Sequence, residues 1–202
     1  MSMGARTRPT DPDLGFRPMT EADLPVVEGW LRAEHTQPWW SYALDWEEIA
    51  QAARGQVPVE QWILQIDGTD AGYFQCYDVG HDDEYRTACA TVGVLPGSAG
   101  IDYLIGEPSL IGGGIGTRAI ATFVRDIVFG RGEWPAVSAG PDPANGASIR
   151  VLEKNGFRVA GDIETSWGIE RLMLLTRSEW ARSQRGSGAT TSPGAGTAVG
   201  SD

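Results

Sequence analysis

Apolar and polar positions along this chain repeat with two different periods, and the switches between them mark its elements. The opening "LGFRPMT" alternates as a short strand. "TEADLPVVEGWLRAE" then places Leu24, Val27 and Leu31 at helical spacing, with Thr20 as N-cap and Asp23 in the first turn. "HTQPWWSYAL" breaks the pattern at Pro38 and reads as an aromatic loop, and "DWEEIAQAARG" predicts a second helix capped by Asp45 and ended by Gly55. "QWILQIDGTDAGYFQCYDV" is two strands joined at Asp67-Gly68, a pair suited to a tight turn with positive φ. Residues 80–100, acidic and then small and apolar, fit no element. "GIDYLIG" is a strand, "GIGTRAIATFVRDIVFG" a long amphipathic helix and "WPAVSAG" a strand. A helix runs from about Asn145 to the "NG" at 155–156, and two closing strands flank "SWG". The order β-α-α-β-β-β-α-β-α-β-β predicts a single α/β domain, a mixed central sheet with helices on both faces.

Length and composition set the limits of that domain. The chain has 202 residues, enough for one full hydrophobic core. Residues 1–13 read as a flexible N-terminus and 14–182 as the folded domain. From Ser183 on, a Gly/Ser/Ala-rich stretch buries too little apolar surface to offset its ordering entropy and reads as a disordered tail. No apolar run approaches the roughly 20 residues of a membrane span. Cys76 and Cys89 have no CxxC spacing and, with only His35 and His81, make no metal-ligand set. A cytoplasmic protein is expected, with no membrane partner. The formal net charge of −11 argues against a nucleic-acid surface and is compatible with a cationic small-molecule substrate. Monomer and homodimer both stay open.

The densest chemical signal is "SLIGGGIGTRAI", with Gly112, Gly113, Gly114 and Gly116 at a helix entrance. Glycine is a poor helix former, so bare backbone must serve something there. A P-loop would need a lysine after its last glycine, and the chain's only lysine is Lys154. A dinucleotide fingerprint matches only weakly and lies past the middle of the chain. Successive N–H groups of Gly112, Gly113, Gly114, Ile115, Gly116 and Thr117, at the positive end of a helix dipole, suit the pyrophosphate of a coenzyme A. A second signal is Asp102, a carboxylate inside an apolar strand, which is costly unless paired or functional. A third is the adjacent Trp39 and Trp40, an aromatic surface able to wall an acceptor site.

Taken together, "GIDYLIG", "IGGGIGT" and "PANGASIRVLEKNGF" resemble the Gcn5-related N-acetyltransferase (GNAT) family over about residues 14–176. Within it they are similar to the branch of aminoglycoside 6′-N-acetyltransferases and the related lysine N-acyltransferases of siderophore assembly. The resemblance implies acetyl-CoA as co-substrate and direct attack by an acceptor amine. An amine of pKa 9–10 is about 1% neutral or less at pH 7, so a base is needed. Asp102 matches the family's proposed base. The thioester carbonyl would be polarised by backbone N–H groups around Leu104 and Ile105, or at Leu110 and Ile111, and Asn145 would lie near the pantetheine arm. The acceptor would meet Trp39, Trp40, Asp82, Asp83, Glu84, Asp102 and Asp142. His81 is a second candidate base. Three positions depart from the family pattern. Ile111 replaces a phosphate-contacting Arg or Gln, Leu152 a tyrosine proposed as acid for the thiolate, and Gly140 a substrate-contacting aspartate. A lysine-type or siderophore amine acceptor, and a non-catalytic acyl-CoA-binding module, are the alternative readings.

Overall fold

A computed structural model describes residues 11–187. Strand β1 (Leu14–Pro18) leads through a single 3-10 turn into helix α1 (Leu24–Leu31). The Asp23 carboxylate accepts the Thr20 N–H at 2.8 Å and, at 2.7 Å, a guanidinium N–H of Arg17. Helix α2 (Tyr42–Ala53) begins four residues before the position expected, with Ser41 as N-cap. Asp45 is therefore no cap; its carboxylate reaches back to the Ser41 N–H at 2.8 Å. Strands β2 (Val59–Ile66) and β3 (Thr69–Asp78) form the predicted hairpin, its turn made by Asp67 and Gly68 with φ of 49° and 77°.

The stretch without a pattern contains helix α3 (Asp83–Thr91), capped by the Asp82 carboxylate on the Tyr85 N–H at 2.7 Å. Strand β4 (Ala99–Ile105) follows, then the glycine turn and helix α4 (Ile115–Phe123). The predicted long helix runs unbroken over 115–131, but with a π-helical segment over Val124–Val128 between α4 and the short α5 (Phe129–Arg131). Strand β5 (Ala136–Ala139), helix α6 (Gly146–Lys154) and the hairpin of β6 (Arg158–Thr165) and β7 (Gly168–Thr176) complete the sheet. Helix α7 (Arg177–Ser187) runs on past the boundary expected at Ser183. Residues 1–10 and 188–202, most of the two expected terminal segments, lie outside the described residues.

The seven strands order as β1-β2-β3-β4-β5-β7-β6, antiparallel except for the β4–β5 pair, so the sheet is mixed as expected. Alternation sorts side chains to its two faces. On one, Leu64, Phe74, Ile101, Val137 and Met173 pack against Ala119, Ile120 and Phe123 of α4 and Leu152 of α6. On the other, Ile63, Tyr73 and Leu104 meet Val27, Trp30 and Leu31 of α1 and Ile49 of α2. Farther along that face Leu172, Leu174 and Ile163 bury Tyr85 and Cys89 of α3.

Candidate active site

The parallel pair β4–β5 is joined only at Ala99↔Val137 and Gly100↔Ser138; from Ile101 on, the two strands diverge. On its other edge β4 is fully paired to β3. The Gly106 N–H donates to the Ala71 carbonyl at 2.8 Å. By antiparallel alternation this sets Leu104 and Asp102 as hydrogen-bonded partners of β3 and turns the amides of Tyr103 and Ile105 towards the opening. Of the residues expected to polarise a carbonyl, Ile105 therefore has its N–H on the open side and Leu104 does not, while the N–H groups of Leu110 and Ile111 are taken by the carbonyls of Glu107 and Pro108 at 3.1 and 3.2 Å. A cleft of about 660 Å³ occupies the divergence. Its walls come from α2, the loop before it, β3, the entrance to α3, β4, the segment after β5 and the β6–β7 turn.

Asp102 stands at the cleft floor on the α1–α2 face, with Ile101 and Tyr103 directed to the other face. Its Oδ2 accepts from Gln75 Nε2 at 2.9 Å, and Gln75 Oε1 in turn accepts from the Tyr73 hydroxyl at 2.6 Å. Tyr73 accepts from Gln61 Nε2 at 2.8 Å, and the same Gln61 amide also donates to the Ile49 carbonyl. A chain of buried side chains thus fixes the amide of Gln75 with its donor side on the aspartate. Burial pushes the Asp102 carboxyl above the usual carboxylate range, against the hydrogen bonds from Gln75 and Tyr77. A raised pKa makes the carboxylate a stronger base.

Asp102 is one of six carboxylates lining the cleft, with Asp45, Glu48, Asp82, Asp142 and Glu170, and no Lys or Arg lines it. Burial, with Asp102 and Glu48 as charged neighbours, pushes Asp45 to about 6. Burial, with the charge of Asp102, pushes Glu170 to about 7. Glu170 is held by the indole N–H of Trp167 at 2.5 Å and the Tyr85 hydroxyl at 3.2 Å.

Of the residues expected to meet the acceptor, Trp39, Trp40, Asp82, Asp102 and Asp142 line this cleft. Trp40 turns inward, edge-on to Tyr73 at 6.1 Å, whereas Trp39 is 44% exposed. Asp83 and Glu84 do not line it. Asp83 faces solvent and pairs with Arg86 at 2.8 Å, and Glu84 accepts the Ser166 N–H at 3.1 Å, tying the β6–β7 turn to α3. The helix places consecutive residues around its axis, so only the capping Asp82 faces inward. His81 lines the cleft, its Nδ1 at 2.9 Å from the Asp78 carbonyl oxygen. Asp45, Glu48 and Glu170 escaped the sequence reading because each sits at an ordinary helix or strand position. Glu170 alone carried a signal, an acidic residue inside the closing apolar strand. Cys76 and Cys89 are buried and free; burial pushes their thiols to about 12 and about 11, which suits no nucleophile.

The glycine turn lies beyond the cleft, on the far side of β4. Gly112 and Gly114 have φ of 84° and 82°, the left-handed region, and Gly114 caps α4. Gly113 has no such φ, and a Cβ built on it would approach nothing closer than the Leu110 carbonyl at 3.9 Å. Nothing within the fold requires glycine there, so its bare backbone fits an anion approaching from outside. Ile111 is 55% exposed beside the turn, Ile115 is buried, and Thr117 lends its carbonyl to Asn155 Nδ2 at 3.1 Å. Asn145 caps α6 through the Ser148 N–H at 3.0 Å and also lines the cleft. Across the divergence, the Tyr103 hydroxyl and Ser148 Oγ lie 2.8 Å apart. Leu152 is fully enclosed in the core. Among the described residues no His/Cys/Asp/Glu group could hold a metal ion, and no helix is long and apolar enough to cross a membrane.

Comparison with known proteins gives this geometry its family. The model of the acetyltransferase (GNAT) domain matches residues 19–165. An aminoglycoside N(6′)-acetyltransferase type 1 of Serratia marcescens is 30% identical over 178 residues, covering 84% of this chain and 86% of that one. The crystal structure of the aminoglycoside acetyltransferase AAC(6′)-Ib in complex with coenzyme A and kanamycin superposes with a TM-score of 0.75 at 29% identity, over 85% of this chain and 99% of that chain. With its diverged β4–β5 pair and its glycine turn opening α4, the chain belongs to the GNAT family.

Proposed function

We propose that the chain transfers the acetyl group of acetyl-CoA to a primary amine of a polycationic acceptor, the 6′-amino group of an aminoglycoside first among them. The observation that carries this reading is the acceptor cleft, where six carboxylates and no Lys or Arg face a space that opens onto the divergence of β4 from β5. Carboxylates at low dielectric select cations, and Trp39 adds a face on which a sugar ring can stack. The relatives named above supply the class of acceptor and, through the coenzyme A complex, the donor.

In this reading the glycine turn holds the pyrophosphate of the co-substrate, and the thioester lies in the divergence. Asp102 accepts a proton from the acceptor amine, whose nitrogen bonds to the acetyl carbon as the carbon–sulfur bond breaks and the thiolate leaves. The amides of Tyr103 and Ile105, turned to the open edge of β4, are the donors available to the carbonyl oxygen. The network behind Gln75 keeps Asp102 in place without protonating it.

The test is thiol release from acetyl-CoA at neutral pH with kanamycin, lysine, N-hydroxylysine or no acceptor. Turnover with kanamycin is expected to exceed that with the lysine-type amines. Asp102→Asn is expected to lower kcat by roughly 10²- to 10⁴-fold, the usual contribution of a positioned base, with KM for acetyl-CoA unchanged. Because the Asp102 carboxyl titrates above its ordinary range, wild-type kcat falls as pH drops through that raised value, and the Asn variant lacks this acidic limb. Preference for lysine-type amines would reassign the acceptor, and an unimpaired Asn variant would remove Asp102 from the chemistry.

A further inference from the structure

Two neighbouring strands show an exchange of side chains at the cleft wall. Gly140 follows β5, and a Cβ built on it would be driven into Glu170 Oε2, with Glu170 Cδ at 2.8 Å. The Gly140 backbone is not in the left-handed region. Conformation therefore does not demand glycine at 140; the Glu170 carboxylate fills the volume that a side chain at 140 would take and would have to swing off its two donors to admit one. That carboxylate is half-buried, lines the cleft and is held by two neutral donors, Trp167 and Tyr85. Among the described residues it has no salt bridge. Its neighbour Arg171 pairs instead with Asp162 at 2.9 Å.

A half-buried carboxylate with two neutral donors and no counter-ion is held in place without its charge being neutralised, which leaves it able to take a cation. Both of its oxygens already have a hydrogen bond that orients them, and Gly140 has been kept bare beside it. We infer that Glu170 is the specificity-determining carboxylate of this cleft, taking the space left open at Gly140 to hold a second ammonium of the acceptor, distinct from the one that is acetylated. The inference rests on the polyamine reading above and adds to it which residue selects for more than one positive charge.

A consequence follows for protons. Burial and the charge of Asp102 raise Glu170 to about 7, so the free enzyme carries it partly protonated at neutral pH. The groups facing it are Asp102 from β4, Tyr77 from β3, Tyr85 and Cys89 from α3 and Trp167 from the β6–β7 turn, with His81, Asp82 and Asp142 around the same space. None of these is a fixed cation. An ammonium seated on Glu170 lowers its pKa and expels its proton into solvent.

Calorimetric binding of kanamycin to the intact protein at pH 7, in buffers of different ionisation enthalpy, reads affinity and proton release together. Loss of a hydrogen bond to a charged group predicts that Glu170→Gln weakens binding by roughly ten- to a hundred-fold and abolishes the proton release assigned to this group. The variant keeps an acceptor for Trp167 and Tyr85, and an unchanged melting curve establishes that it folds. Moving the carboxylate back, in the pair Glu170→Ala with Gly140→Asp, is expected to recover affinity relative to Glu170→Ala alone; the remaining Cβ at 3.3 Å requires a shift of only a few tenths of an ångström. Kanamycin that binds Glu170→Gln as tightly as wild type, or that fails to bind wild type, overturns the inference. Binding that depends on Glu170 without acetylation would keep the inference and overturn the proposed reaction instead.

Discussion

A general base is only as good as the groups that hold it still, and Asp102 depends on partners on the neighbouring strand β3. The Tyr73 hydroxyl donates to Gln75 Oε1, which leaves Gln75 only its Nε2 to present to Asp102. Tyr73→Phe deletes the donor that sets this orientation and leaves a buried amide oxygen unpaired. The expected result is a loss of about 1–3 kcal/mol in stability and a fall in kcat smaller than that of Asp102→Asn. KM for acetyl-CoA should not move, because the change lies on the acceptor side of β4. Denaturant melts with steady-state rates measure both; an unchanged kcat would reduce Tyr73 to a packing role. Asp102 itself was legible from its neighbours, since an acid between Ile101 and Tyr103 needs a reason to be there. Gln75 and Tyr73 were not, because their relation to it depends on the β3–β4 register, Gln75↔Asp102, across 27 residues of chain. Glu170 was hidden for the same reason: only the closure of β7 against β5 brings it over Gly140.

The glycine turn separates two uses of glycine that the sequence could not tell apart. At Gly112 and Gly114 a side chain would strain a left-handed backbone, so Ala there should cost about 1 kcal/mol whatever binds. At Gly113 neither conformation nor packing objects, and Gly113→Ala is expected to leave the melting temperature unchanged. Its effect should fall on the co-substrate, raising KM for acetyl-CoA roughly tenfold, because a methyl group then keeps an anion from the amides. Equal KM for the variant and wild type would move the anion site off this residue. The elements legible from periodicity were those that carry their own caps and turns, such as the Asp67-Gly68 hairpin and α6 under Asn145. Helix α3 was missed because its polar run offers little apolar stripe, although Asp82 caps it. Helix α7 was missed because it starts with no intervening loop at the end of β7. Its first residue, Arg177, is fixed by tertiary contacts, donating to the carbonyls of Trp134, Phe129 and Gly132 and lying 4.7 Å above the Phe129 ring.

Concentrating carboxylates in one cleft has a consequence for the stability of the whole molecule. Glu170 and Asp45 titrate at about 7 and about 6 in the fold, against ordinary values of 4.5 and 3.8. Between the unfolded and folded values the native state binds more protons than the unfolded chain, so stability falls as pH rises through 6 to 7. Arg17 works in the opposite direction: its bond to Asp23 at 2.7 Å holds that carboxyl down to about 2, and its bond to Asp70 at 2.5 Å lowers Asp70 as well. That contribution is complete above pH 4 and is lost only as pH falls towards 2. The free protein is therefore expected to be most stable near pH 4 to 5 and weaker at pH 8. With both shifts discounted for residual solvation, the difference is on the order of 2 kcal/mol, or roughly 4–8 °C in melting temperature for a domain of this size. Thermal melts from pH 4 to 8 measure it, and Glu170→Gln should flatten the slope between pH 6 and 8. A saturating polycation should flatten it too, since its ammonium groups supply at pH 8 the compensation that protons supply at pH 5. A melting temperature that rose steadily from pH 5 to 8 would mean that these carboxylates are not strained by burial, and that the cleft is not tuned to receive positive charge.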